Sequence, residues 1–214
     1  MRPLDDLQDP KGTGNSFSEA GASHQQGDGR PGRELDAEGS VQMIYFAQPK
    51  NGGPIRIGFT ADTKVRKRSL GTWLPGGVEF IHEMDGGLLG ETILHLCFNP
   101  IRVERDWFRS CENIWRFILD AKVRRHGWLT AHEGDVPRLK LEDLCDEFGG
   151  IEGATAVLGY SRPELFLQAA TWQTKIGVSL FAKVEFARLL RSGDLPSYIS
   201  ILHNSSERFL EAAQ

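Results

Sequence analysis

Cysteine is scarce in this chain: Cys97, Cys111 and Cys145 are the only three in 214 residues. They are odd in number and widely spaced, with no Cys-x-x-Cys pair. That excludes a thiolate zinc cluster and fits reduced thiols in a cytoplasmic protein. No apolar run approaches the roughly 18 residues that a membrane span requires, and the N-terminus has no apolar leader core. Neither membrane insertion nor export is therefore expected. Large apolar side chains are sparse over residues 1–40, where Leu4, Leu7, Phe17 and Leu35 stand among glycines, prolines and charges. Such a segment buries too little to offset its ordering entropy, so a disordered tail is expected there. Net positive charge is lacking too. Residues 1–40 carry eight acidic and four basic side chains, which accounts for the whole formal charge of −4 and leaves residues 41–214 neutral. Neutrality argues against a protein that coats nucleic acid non-specifically. It permits local basic sites, and two blocks qualify: Lys64, Arg66, Lys67 and Arg68, then Arg102, Arg105, Arg109 and Arg116. A charge run is as often a solvated face as a binding site.

What is present falls into two textures. Val41 to Gln48 reads as an apolar strand, Asn51-Gly52-Gly53 as a hairpin turn, and Ile55 to Thr60 as the return strand, with Ile55, Ile57 and Phe59 alternating. Asp62 is placed to cap a basic helix running to about Gly71. Val78 to Met84 is a third strand. The helix from about Leu88 to Phe98 gathers Leu89, Ile93, Leu96 and Cys97 in one apolar arc. At about 100° per residue, Glu91 and His95 fall on the opposite side, one turn apart. Glu112 to Arg125 is a further helix. Residues 41–125 thus predict an α+β domain, a small antiparallel three-stranded sheet flanked by helices. After a linker at 126–138 the texture is wholly helical over 139–200, and residues 201–214 read as a C-terminal tail. The four helices expected are Leu139–Phe148, Glu152–Leu158, Arg162–Trp172 and Val178–Leu190.

One ordered set of residues carries chemistry. Tyr45 lies on the first strand, Ile57-Gly58 on the second, Arg66 on the basic helix and Glu91 on the later one. Tyrosine can position or activate water, arginine can hold a phosphate, and glutamate can bind a hard cation through oxygen. With Met43-Ile44-Tyr45-Phe46, Gly53-Pro54-Ile55-Arg56-Ile57-Gly58, Glu91-x-x-x-His95-x-x-Phe98 and Arg105-Asp106-Trp107-Phe108, this stretch resembles a GIY-YIG endonuclease domain. The nearest pattern is the phage and bacterial branch whose second signature reads Lys/Arg-Ile-Gly and whose closing motif is Glu-Trp-Phe. Two positions depart from it: Arg56 stands where the second signature has tyrosine, and Asp106 stands where the closing motif has glutamate. The resemblance covers about 80 of the 214 residues.

The resemblance implies a metal-dependent endonuclease acting on DNA, most simply double-stranded. Glu91 would hold one Mg²⁺ or Mn²⁺, Tyr45 would line the active face as base or water-positioner, and Arg66 would hold the phosphate. Arg56 and His95 complete the candidate catalytic set, and Lys64, Lys67 and Arg68 are candidates for contacts to DNA phosphates. Each has an ordinary alternative. Tyr45 can be a core aromatic, Glu91 a soluble helix face, His95 a helix surface residue and the cations solvated decoration. Trp107 and Phe108 read as core residues. A catalytically inactive GIY-YIG-fold protein that binds DNA in a regulatory role is the alternative from a different class.

The helical region weakly resembles a Cro-like helix-turn-helix domain. Gly159 sits between two short helices, and Ser161-Arg162-Pro163-Glu164 is a capping box with proline in the first turn. If Leu165, Ala169 and Trp172 form the buried stripe, Arg162, Gln168 and Lys175 are left for DNA, with Thr171 and Gln173 beside them. Phe166 and Leu167 would then face outward or into another helix, which suits packing or a homodimer contact better than a wet groove. An exposed Phe166–Leu167 patch would favour a protein-interaction module.

Overall fold

A hairpin nucleates the sheet. Strand β1 (Met43–Pro49) turns through Gly52 and Gly53, both at positive φ (83° and 111°), into antiparallel β2 (Ile55–Thr60). The register sets Tyr45 opposite Gly58 and Phe46 opposite Ile57. The computed structural model describes residues 42–74, 76–127, 136–171 and 173–211, with backbone alone for 173–178 and 205–211. The tail expected at 1–40 and most of the 126–138 linker lie outside the described residues.

Asp62 caps helix α1 (Thr63–Trp73), its carboxylate accepting from the Val65 amide at 2.9 Å. Strand β3 (Val78–Asp85) returns on the other side of β1, and helix α2 (Leu88–Cys97) follows. A 3₁₀ turn, Asn99–Ile101, leads into β4 (Arg102–Glu104) and β5 (Trp107–Phe108), and then helix α3 (Glu112–Ala121). The sheet is antiparallel, in the order β3-β1-β2-β5-β4. It has five strands, not the three expected. The two added strands are three and two residues long, too short for alternation to show in sequence. They join through Arg105, the one non-glycine residue at positive φ (46°) among the described residues.

The two faces of β1 and β2 enter different cores. Ile44, Phe46, Ile55 and Ile57 join Leu89, Ile93, Phe98, Phe108 and Phe117 in the larger one. Tyr45 and Ala47 turn the other way, against Leu70 of α1 and Val78 of β3. The mixed α+β class is as expected.

The later helices are α4 (Leu141–Phe148), α5 (Gly150–Val157), α6 (Pro163–Thr171), α7 (Gln173–Ser192) and α8 (Ser197–Glu211), which makes eight helices among the described residues. Leu144, Phe148, Leu158, Phe166, Leu180 and Val184 form a second core. The stripe of α6 is rotated from expectation. Phe166 is fully buried against Tyr160, whereas Leu165 is 37% exposed. The larger ring takes the interior because it removes more apolar area from water. With Phe166 inside, an exposed Phe166–Leu167 patch does not exist. Trp172 lies outside the described residues. Nor is 201–214 a tail throughout: α8 continues to Glu211, anchored by Ile199 in the larger core and by His203, whose ring nitrogen lies 3.0 Å from the Cys97 carbonyl.

The helical segment does not stand apart from the sheet. Helix α7 packs along α2, and Ala182, Leu195 and Ile199 belong to the same core as Ile44 and Phe46. Among the described residues no helix is long and apolar enough to cross a membrane.

Candidate active site

Strand β2 is paired on one side by β1 along most of its length, but on the other side by β5 only at Ile55 and Arg56. Beyond that point its outer edge is open, and side chains and loop backbone complete it. The Ile57 amide donates to the Asp106 carbonyl at 3.0 Å. His95 Nε2 lies 3.0 Å from the Ile57 carbonyl. A carbonyl only accepts, so this nitrogen carries the proton. The edge draws α2 against β2 and fixes where Glu91 sits, one turn before His95.

Glu91 is therefore not on an open helix face. Its side chain is 14% exposed and His95's is 15%. Helical periodicity locates Glu91 opposite the apolar arc of α2; it does not reveal that the β2 edge lies there. Burial raises the Glu91 pKa from 4.5 to about 7, and the charge of Asp106 adds to the effect. Arg56, Arg66 and the Phe59 amide pull against it. The charges that act on Glu91 are thus one further carboxylate and two guanidinium groups.

Arg66 reaches down from α1 and donates its Nε–H to the Tyr45 hydroxyl at 2.9 Å. Tyr45 is fully buried, stacked on Phe80 with centroids 4.7 Å apart. Its hydroxyl is closed off from solvent and does not line an open face. In this arrangement Tyr45 orients Arg66. Arg66 is half-buried, and its remaining nitrogens are a suitable fork for a phosphate. Gly58 makes room for the ring: a Cβ there would fall 2.5 Å from the Tyr45 hydroxyl oxygen. Gly58→Ala should lower stability by about 1–3 kcal/mol, since a ring held by Phe80 and Arg66 cannot give way cheaply. A Tm equal to wild type would show that the ring relocates freely.

The two positions that depart from the family pattern are each other's partner. Arg56 Nη2 meets Asp106 Oδ2 at 2.7 Å, with the guanidinium 5.8 Å from the Trp107 ring centre. Arg56 Nε is buried and has no hydrogen-bond partner among the described residues. His95 sits edge-on to Phe108, and burial holds its pKa below the usual value, so the neutral ring is a structural tie between α2 and β2.

The basic blocks separate once their partners are seen. Arg102 bonds to the His95 and Arg105 carbonyls and lies over Phe108. Arg116 pairs with Glu112 at 2.6 Å. On α1, by contrast, Lys64, Lys67 and Arg68 are exposed and no carboxylate among the described residues pairs with them. In the helical segment Arg162 and Gln168 are exposed. Gln168 lies on α6, whereas Arg162 precedes its first residue. The Lys175 side chain lies outside the described residues.

A metal here would depend on Glu91, because no group of three or more His, Cys, Asp or Glu able to hold an ion occurs among the described residues. The donor chemistry fits a hard cation that takes most of its ligands from water and substrate oxygens. A bound cation would relieve both the burial and the Asp106 repulsion that keep the carboxyl protonated.

Without a cation, the sign of the pH effect follows. Below pH 4.5 Glu91 is protonated folded and unfolded alike; as pH rises through about 7 the unfolded chain releases the proton first and folded stability falls. The full cost above that window is on the order of 3 kcal/mol. Glu91→Gln should thus melt above wild type at pH 8 in EDTA, with the gap closing at acid pH. Equal melting at both pH values would mean that the carboxyl is not held in a desolvated site.

No protein-family model matches this chain, and no curated protein or solved structure matches it either.

Proposed function

We propose that the chain is a metal-dependent endonuclease of the GIY-YIG superfamily that hydrolyses DNA phosphodiester bonds. The observation that carries this reading is what gathers at one edge of β2: Arg56 paired with Asp106, Arg66 of α1 held on the Tyr45 hydroxyl, and the half-buried Glu91 of α2 beside His95, which bonds the Ile57 carbonyl. A Mg²⁺ or Mn²⁺ ion held by Glu91 would polarise the scissile phosphate and stabilise the leaving oxygen. Arg66, aimed by Tyr45, binds a non-bridging phosphate oxygen and stabilises the charge that grows on it. The Arg56–Asp106 pair sets the local field and fixes Trp107 beside the site. His95 holds α2 in register with β2. Lys64, Lys67 and Arg68 bind the flanking backbone, and the helical segment supplies further DNA contacts, through Arg162, Gln168 and Lys175, or a contact to a second subunit.

A second reading has its own support. The Tyr45 hydroxyl has no exposed surface, the His95 Nε2 proton is committed to a carbonyl, and Arg56 is spoken for by Asp106. A catalytically inactive DNA-binding protein would tolerate all three. Incubation of supercoiled plasmid with Mg²⁺ or Mn²⁺ distinguishes them. The nuclease converts it to nicked circles and stops in EDTA; retention on DNA without conversion under any divalent ion leaves the binding reading.

A further inference from the structure

We propose that α3 is a homodimer contact, in which two copies of the chain pack this helix antiparallel about a two-fold axis at Leu119. The inference is independent of the nuclease reading and concerns a different surface. Helix α3 buries Ile114, Phe117 and Ile118 in the larger core. The side turned away from such a core is ordinarily polar. Here it carries Trp115, Leu119 and Val123, spaced four apart and so in one row along the helix. Val123 stays in that row because the turn after Ala121 is still helical, with the Arg124 amide donating to the Asp120 carbonyl at 2.8 Å. The three are 37%, 62% and 84% exposed. Large apolar side chains lined up on the solvent side of one helix mark a contact surface, unlike the same residues scattered singly. Beside the row runs an open groove of about 830 Å³, with Leu119 and Val123 on one bank and Leu195, Pro196 and Tyr198 on the other.

Position and charge select the occupant. Helix α3 packs through Phe117 on Phe46, whereas α1 shares the small core of Tyr45, so the two helices lie on opposite faces of the sheet. DNA held by the α1 cations therefore does not run over α3, and phosphates offer an apolar row nothing to bury against. The charges of α3 are segregated along its length. Glu112 stands in the first turn, 74% exposed beside Arg116, while Lys122, Arg124 and Arg125 are exposed at the far end. Asp120, which also borders the groove, is engaged within the chain and accepts from the Tyr198 hydroxyl at 3.2 Å. An antiparallel copy sets each Glu112 against the partner's basic end, and it opposes the two helix dipoles. The apolar row is self-complementary in the same arrangement. Leu119 meets its own copy, and Trp115 meets the partner's Val123 at the bank of the partner's groove, which receives the indole. That indole is already fixed in place, its Nε1–H donating to Ser110 Oγ at 3.0 Å.

Analytical ultracentrifugation of the full chain, over a concentration series in EDTA, reads the association directly. Wild type should form a concentration-dependent dimer. Leu119→Ser should weaken it roughly a hundredfold or more, because a two-fold contact carries every substitution twice. Glu112→Lys alone, and Arg124→Glu with Arg125→Glu, should each weaken association at low salt. All three substitutions together should recover it, since the charges are then exchanged at both ends. Melting curves should stay at the wild-type position for these exposed side chains. A wild type that is monomeric at every concentration overturns the proposal, as does a dimer that survives Leu119→Ser. Failure of the combined charge exchange to recover association overturns it as well. If wild type is monomeric and Leu119→Ser instead loosens retention on a blunt DNA duplex, the face belongs to DNA. Plasmid nicking is a separate readout, so the dimer and the nuclease reading fail independently.

Discussion

Glu91→Gln should abolish metal-dependent nicking, with a fall of about 10²–10³-fold or more, while the protein folds at least as well as wild type. The loss follows from charge. Glutamine keeps the size and one oxygen of the carboxyl but cannot neutralise a hard divalent ion, and each 1.36 kcal/mol of lost transition-state stabilisation is about tenfold in rate. The retained fold follows from burial. The Glu91 carboxyl is already pushed toward its neutral form, so a neutral isostere removes an unfavourable charge whose cost exceeds what the Phe59 amide, Arg56 and Arg66 return. Most active-site substitutions confound damage to the fold with damage to the chemistry; here the two effects have opposite signs. The measurement is initial nicking rate against Mn²⁺ concentration, with melting curves at pH 8. Wild-type rates in Glu91→Gln would remove Glu91 from the site, and a raised Mn²⁺ requirement with full turnover at saturation would make it a weak affinity contact only.

Arg66→Ala should cost about 10²–10³ in turnover, the scale on which removal of one transition-state donor is felt. Arg66→Lys should recover only part, because the charge returns without the fork and without a group placed to reach the Tyr45 hydroxyl. Truncation also leaves that buried hydroxyl without its arginine, a loss of about 1–3 kcal/mol in stability. The companion variant is Tyr45→Phe. If tyrosine acts by aiming Arg66, Tyr45→Phe lowers turnover modestly in wild type and not at all when Arg66 is already alanine. That non-additivity is the signature of one unit. Full additivity would give Tyr45 a separate part in the chemistry, and full activity of Arg66→Ala would remove the phosphate from this place.

Much of the first half of the molecule is legible in its sequence. Alternation at Ile55, Ile57 and Phe59 and the glycines of the turn specify the hairpin, and Asp62 marks the start of α1. The environment of Glu91 is not legible, for a physical reason. A helix reports the direction of a side chain relative to its own apolar arc and nothing of what the rest of the chain brings there. The open β2 edge arises from strands only two and three residues long, which leave no period to read. The stripe of α6 is ambiguous in the same way: Leu165 and Phe166 are neighbours on a short helix, and which one enters the core depends on Tyr160, Leu144 and Val184 arriving from elsewhere. Gly58 carries its meaning only once Tyr45 is known to lie across from it.

The packing of α7 on α2 has a consequence for the order of assembly. The core that positions Glu91 takes Ile44 and Phe46 from the beginning of the described chain and Ala182, Leu195 and Ile199 from near its end. Contacts so distant in sequence close large loops and form late. During synthesis the hairpin and α1 are available long before the helices that complete the core beneath them, so the Tyr45–Arg66 pair can form well ahead of the carboxyl that would bind metal. The nascent chain would then hold phosphate-binding parts without a working site until its last helices are made.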